Sequence, residues 1–114
     1  MPLPELVAAR VKKGLDALCE RVPPRARDQV RLIHETRGNG VTLIETRVPW
    51  NDPNGEWTRL KVAKLVFDPK TGEWTLYWFD RNERRRPLPD VEPTLNLDRL
   101  LEEIDRDPHG VFWG

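Results

Sequence analysis

A short arginine-rich stretch and two aromatic residues just before it are the part of this sequence whose residue types and spacing most suggest a chemistry. The residues are Arg81, Arg84, Arg85 and Arg86, preceded by Tyr77 and Phe79. Guanidinium groups bind phosphates, and aromatic faces stack on unpaired bases. The combination predicts a surface for single-stranded nucleic acid or RNA. The alternative is a solvated turn whose arginines protect a sheet edge and attract an acidic C-terminal helix.

A second polar set is His34, Glu35 and Glu45, on either side of Gly38-Asn39-Gly40. If these glycines close a hairpin, Glu45 is expected near Glu35 or His34 across the two strands. A carboxylate there could orient the imidazole for acid-base chemistry or share a metal with it. Two carboxylates and one histidine do not complete a metal site, so we favour a structural, hydrogen-bonded histidine and predict no metal. A small metal-dependent or acid-base hydrolase is the least favoured function.

Composition favours a small folded protein without a cofactor. A chain of 114 residues with five Trp predicts one core and a single α+β domain spanning residues 1–114. The formal net charge is zero, but residues 90–114 are acidic and the preceding part is basic. Cys19 is the single cysteine, which excludes an internal disulfide and a Cys-based zinc site. No signal peptide or membrane span is visible, so we expect a cytoplasmic protein.

The aromatic residues belong to a predicted hairpin over residues 62–80, with its turn at Asp68 to Gly72. Side chains alternate along a strand, so Trp74, Leu76 and Trp78 share one face. Tyr77 and Phe79 lie on the other. The larger apolar face is expected to be covered by helices, which leaves Tyr77 and Phe79 as the more exposed aromatics.

The remaining elements follow from periodicity and from proline. Apolar residues at steps of three and four predict an amphipathic helix from Pro4 to about Arg21, ended by Pro23-Pro24. Strands are predicted over 28–37, 41–48 and 57–67, and prolines 87, 89 and 93 restrict any fifth strand to a short one at an edge. A second helix contains Leu97 to Ile104, and the apolar tail at Phe112-Trp113 is expected to dock on the body. The predicted fold is α+β: an N-terminal helix, a four- to five-stranded antiparallel meander, and a C-terminal helix packed on one sheet face.

Several blocks of the sequence resemble a small bacterial family catalogued only as a domain of unknown function. The blocks are Gly38 to Glu45, Glu56-Trp57-Thr58, Trp74 to Trp78, Asp80-Arg81-Asn82, Glu103 to Pro108 and Phe112-Trp113-Gly114. The resemblance covers nearly the whole chain and implies a stand-alone cytoplasmic protein, without implying a chemistry. In the family pattern, a glycine, an aromatic and a His or Tyr follow the Asp80 block. Here that position reads Glu83-Arg84-Arg85-Arg86.

The sequence therefore predicts a non-enzymatic binding module without a cofactor and without a membrane partner. Single-stranded nucleic acid is the first candidate ligand. The alternative is a protein-interaction or accessory factor that uses the aromatic sheet face or the acidic C-terminal helix.

Overall fold

The computed structural model describes residues 3–52 and 54–113. Along these residues, one helix precedes five consecutive strands and a second helix follows them. The elements are α1 (Glu5–Cys19), β1 (Val30–Arg37), β2 (Gly40–Arg47), β3 (Thr58–Phe67), β4 (Trp74–Phe79), β5 (Arg85–Pro87) and α2 (Leu97–Arg106), with a short 3-10 turn at Pro24–Ala26. The predicted α+β class and the order of its elements are confirmed.

Prolines lie just before the first residue of helix α1 and shortly after its last residue. The carbonyl of Pro4 accepts the Ala8 N–H at 2.8 Å, and Pro23-Pro24 prevents continuation beyond the C-terminal turn. Its buried residues are Val11, Leu15 and Leu18, one stripe at helical spacing. The predicted helix is confirmed with slightly shorter bounds.

The five strands form an antiparallel meander in which each strand pairs with the next along the chain. The first hairpin pairs Arg37 with Gly40, so Gly38 and Asn39 form a two-residue turn. Gly38 has φ +60°, the conformation that a type II′ turn requires at its first central position. Strand β5 is short and ends at Pro87 on the sheet edge, as predicted.

One face of the sheet carries the strand residues of the main hydrophobic cluster, whereas Ile44 is buried on the opposite face. The register places Leu43 beside Ala63 and Leu65 beside Leu76, and the same face continues through Trp74. These side chains pack in one cluster with the buried stripes of α1 and α2, including Leu100 and Ile104 at 0% exposure. Both helices therefore contribute to the cover of one sheet face, the covered face, and the opposite face, called the open face, carries none of that cluster.

A β-bulge in β3 changes which side chains share a face. Leu43 pairs with Ala63, but the next residue of β2, Ile44, pairs with Lys61, so Val62 is an extra residue. Val62 and Ala63 are both buried in the core. Because a bulge resets the alternation, Lys61 and Lys64 lie on the same face although they are three residues apart. That face is the open face.

The predicted faces of β4 are confirmed by its register. Trp74 is buried, and Trp78 is half-buried and packs against the core from the covered face. Tyr77 and Phe79 lie on the open face and are half-buried. Trp78, Tyr77 and Phe79 are thus all half-buried, so the prediction that Tyr77 and Phe79 are the more exposed aromatics holds relative to Trp74 and is not shown relative to Trp78.

The C-terminal tail docks on the body, as predicted. Phe112 is buried in the core, and Trp113 packs against the core and donates its indole N–H to the Ile104 carbonyl at 2.7 Å. The Asp107 carboxylate accepts the backbone N–H groups of Val111, Phe112 and Trp113 at 2.8–3.2 Å. Burial raises the pKa of Asp107, but these N–H donors outweigh it and hold that pKa below its usual value.

Candidate functional site

The open face of the sheet is strongly basic. By the strand register its positions include six cations, contributed by β1, β3 and β5: Arg31, Arg37, Arg59, Lys61, Lys64 and Arg85. Among the described strand residues of this face, Glu35 is the one acid, and its carboxylate pairs with Arg59 at 2.5 Å. A protein with no formal net charge thus concentrates positive charge on one surface.

Three aromatic rings belong to the same surface, and each lies against one of its cations. The Arg85 guanidinium lies 4.7 Å from the centre of the Tyr77 ring, and the Lys61 ammonium 5.6 Å from that of Phe79. Arg31 lies 4.8 Å from the ring centre of Trp57, immediately before β3. These cation–π contacts place a basic group over each of the three rings.

Lys64 shows how closely the cations are crowded. Its pKa is lowered from its usual value first by partial burial and then by the positive charges of Arg85, Lys61 and Arg37. Its side chain crosses Gly40, where a Cβ would lie 2.9 Å from Lys64 Cε. Gly40 therefore leaves room for this lysine in the centre of the basic surface.

Of the predicted arginines, only Arg85 joins that surface through its register position. Arg86 pairs with Trp78 in the register and forms an ion pair with Asp80 at 2.9 Å. Arg81 and Arg84 are exposed in the turn between β4 and β5. Within that turn the Asp80 carboxylate accepts the backbone N–H groups of Asn82 and Arg84, at 2.8 and 3.0 Å. The Arg84 N–H, together with Arg86 and Asn82, lowers the pKa of Asp80.

The polar residues His34, Glu35 and Glu45 do not converge. His34 lies on the covered face opposite Leu43, whereas Glu35 points to the open face opposite Thr42. Glu45 shares the face of His34 but forms its own ion pair with Arg47 at 2.6 Å. Among residues 3–52 and 54–113, no group of three or more His, Cys, Asp or Glu could hold a metal ion.

His34 has a structural partner on α1. Its Nε2 lies 2.7 Å from Asp16 Oδ1, and Lys12 Nζ lies 2.6 Å from the other carboxylate oxygen. Hydrogen bonds from His34 and then Lys12 lower the pKa of Asp16. This chain of contacts ties α1 to β1, and it is the hydrogen-bonded histidine that the sequence favoured.

The sequence prediction missed most of the basic surface. Arg31, Arg37, Arg59, Lys61 and Lys64 are dispersed over 34 positions of the chain and form no run of charges. The alternation of side chains in β3 could have indicated part of this surface, because Arg59 and Lys61 are two residues apart and therefore share a face. Lys64 joins them only through the bulge.

The fold and the surface together define an α+β protein with a five-stranded meander, helices on one side of the sheet and a basic, aromatic face on the other. Residues 3–114 match the family model described as Domain of unknown function (DUF3024), and the chain belongs to that family. This confirms the resemblance noted from the sequence. Searches among curated proteins and among solved structures gave no match. Within the described part of the chain, no helix is long and apolar enough to cross a membrane.

Proposed function

We propose that this protein is a non-enzymatic module that binds single-stranded nucleic acid on the open face of its sheet. The observation that carries the proposal is the coincidence of six cations and three aromatic rings on the sheet surface opposite the main hydrophobic cluster. Cations supply affinity for phosphates, and rings supply stacking platforms for bases. Arg81 and Arg84 extend the positive charge beyond the end of β4.

A single strand fits this surface better than a duplex. The bases of a duplex already stack on one another, so their faces are not available to Tyr77 or Phe79. An unpaired base can stack on a ring or on the planar guanidinium of Arg85, which lies over Tyr77 in the free protein. Each cation–π pair therefore combines a flat stacking surface with a positive charge for the adjoining phosphate.

The crowding around Lys64 favours an anionic ligand. The like charges of Arg85, Lys61 and Arg37 disfavour its protonated form, and a bound phosphate would relieve that repulsion. Binding should then raise the pKa of Lys64 toward the usual value. Measured at a pH near that pKa, binding should be accompanied by proton uptake.

The direct test is the salt dependence of affinity for a fluorescently labelled single-stranded oligonucleotide, measured by anisotropy. Each phosphate contact on a single strand contributes about 0.7 to the slope of log affinity against log salt. Changing Lys64 and Arg85 together to Ala should therefore lower affinity and reduce the slope by about 1.4. The matched control is the pair Arg10→Ala and Lys13→Ala, two exposed residues of α1 that change the net charge equally. This control should leave affinity and slope nearly unchanged.

Stacking is tested separately at Tyr77. Replacement by Ala should weaken binding by about 1–3 kcal/mol if a base stacks there, whereas Phe should retain most of the affinity. No binding of single-stranded DNA or RNA at low salt would contradict the proposal. An equal effect of the α1 control would do the same, and either result would favour a protein partner for the aromatic face or for α2.

A further inference from the structure

A cavity of about 430 Å³ lies at the end of the sheet where β3 begins and β4 ends. We call it the end cavity. Its wall includes Lys61, Phe79 and Arg81 on one side and Trp113 of the docked tail on another. Its volume falls within the range of small-molecule binding sites.

The end cavity borders both faces at this end of the sheet, because Glu45 and Leu60 of its wall occupy covered-face positions. Lys61 and Phe79 occupy open-face positions in the register and also border the cavity. The Lys61 ammonium lies 5.6 Å from the centre of the Phe79 ring, at the boundary between the two. Lys61 and Phe79 are therefore the wall residues that a strand crossing the open face would meet first.

The charges of the wall leave cations available to a ligand. Glu45 is engaged by Arg47, and Asp80 is engaged by Arg86 and by backbone N–H groups. Glu83 also borders the cavity, where it is exposed and forms no ion pair with the described residues. Lys61 and Arg81 form no ion pair with any residue in the described ranges. These two can therefore meet an incoming phosphate.

The tail fixes the aromatic part of the wall. The Trp113 indole N–H donates to the Ile104 carbonyl at 2.7 Å, and the Arg21 guanidinium lies 4.3 Å from the centre of a Trp113 ring. The backbone N–H of Trp113 donates to Asp107 at 3.0 Å. The ring is thus held in place before any ligand arrives, which reduces the entropy lost on binding.

We infer that the end cavity binds one unpaired base of the same strand, bordered by Phe79 and Trp113, with the adjacent phosphate at Lys61 and Arg81. This inference rests on the proposed function, because the strand is delivered by the open face. It adds a specific site to that surface, at which a base leaves the plane of the sheet.

The first experiment follows indole and amide signals of ¹⁵N-labelled protein as a short single-stranded oligo(dA) is added. The Trp113 indole signal, assigned with Trp113→Phe, should shift together with the backbone amides of Lys64 and Tyr77. Trp50 is the internal reference, because its side chain is 94% exposed in the β2–β3 loop and does not border the end cavity. Its indole signal should stay in place.

The outcomes separate the two proposals. Shifts at Lys64 and Tyr77 without a shift at Trp113 overturn the end-cavity inference and leave the proposed function intact. An absence of shifts at all three positions overturns both. A shift at Trp113 alone overturns the role of the open face and with it the delivery of the strand to the cavity.

The second experiment fills the cavity from its rim. Leu60 borders the end cavity and is 58% exposed, so Leu60→Trp adds a ring there without disturbing the core. Affinity for oligo(dA) should fall roughly 5- to 150-fold, the loss of one stacked base. Leu95→Trp is the matched control, because Leu95 is 70% exposed and does not border the cavity. Unchanged affinity in Leu60→Trp, with the protein folded, refutes the inference.

Discussion

Replacing Phe112 by Ala should destabilise the protein strongly, although the residue lies two positions from the end of the sequence. Its side chain is 7% exposed and belongs to the single hydrophobic cluster formed by both helices and the sheet. Truncation of a buried Phe to Ala removes its transfer free energy and leaves a cavity, which together cost about 3–5 kcal/mol. A chain of this size has a free energy of unfolding of about 6–17 kcal/mol, so this loss is a large fraction of the total.

The measurement is the urea midpoint and the thermal midpoint, with circular dichroism as the probe. The loss corresponds to a decrease in Tm of about 10–20 °C. Phe112→Leu should show a smaller decrease and keeps the test available if Phe112→Ala does not fold. Leu95→Ala is the control, since a side chain with 70% exposure should change stability by less than about 0.5 kcal/mol. A Phe112→Ala midpoint equal to that of the control would refute the view that the tail completes the core.

Three other measurements test separate parts of the structure. Asp107→Asn should lower the free energy of unfolding at neutral pH and make it depend less on pH in acid. A carboxylate whose folded-state pKa is depressed stabilises the fold above its usual pKa of 3.8 and loses that contribution as the pH falls through the folded-state pKa. If urea titrations at acidic pH show the same pH dependence for the variant, this account of Asp107 is wrong. Cys19 should react with iodoacetamide about 100-fold more slowly at pH 8 than a thiol with the usual pKa, because burial and then Asp16 raise its pKa to about 11; labelling at the rate of a free thiol would exclude this environment. Gly38→Ala should cost about 1–2 kcal/mol in thermal denaturation, because φ is +60° there, and a neutral effect would mean that the turn adopts another conformation.

Much of the fold was predictable because local patterns and tertiary packing agree. The stripe of Val11, Leu15 and Leu18 gives α1, and Pro87 restricts β5 to three residues. The alternation from Trp74 through Leu76 correctly identified the covered face of β4. In each case a proline or a regular spacing of apolar residues determines the local structure, and the residues that pack against it need not be known.

The candidate site was less predictable because it depends on register. A single residue of slip moves a side chain to the opposite face, and nothing local to Arg85 and Arg86 shows which of them joins Tyr77. The bulge at Val62 is equally invisible in sequence, since Val62-Ala63 reads as an ordinary apolar pair. His34 and Glu35 illustrate the same limit, because adjacent residues of β1 point to opposite faces and find partners on α1 and on β3.

The position of α2 after all five strands has a consequence for biosynthesis. Leu100 and Ile104 are fully enclosed in the core, and the sheet is already complete in sequence ten residues before α2 begins. During synthesis from the N-terminus, the apolar face that includes Trp74 and Leu76 is therefore made before α2 and the tail, which pack in the same cluster. Until residues 97–113 leave the ribosome, that face is exposed to other nascent chains and to chaperones. Translation pauses or premature stops within residues 97–113 should consequently yield aggregation-prone chains rather than slightly weakened ones.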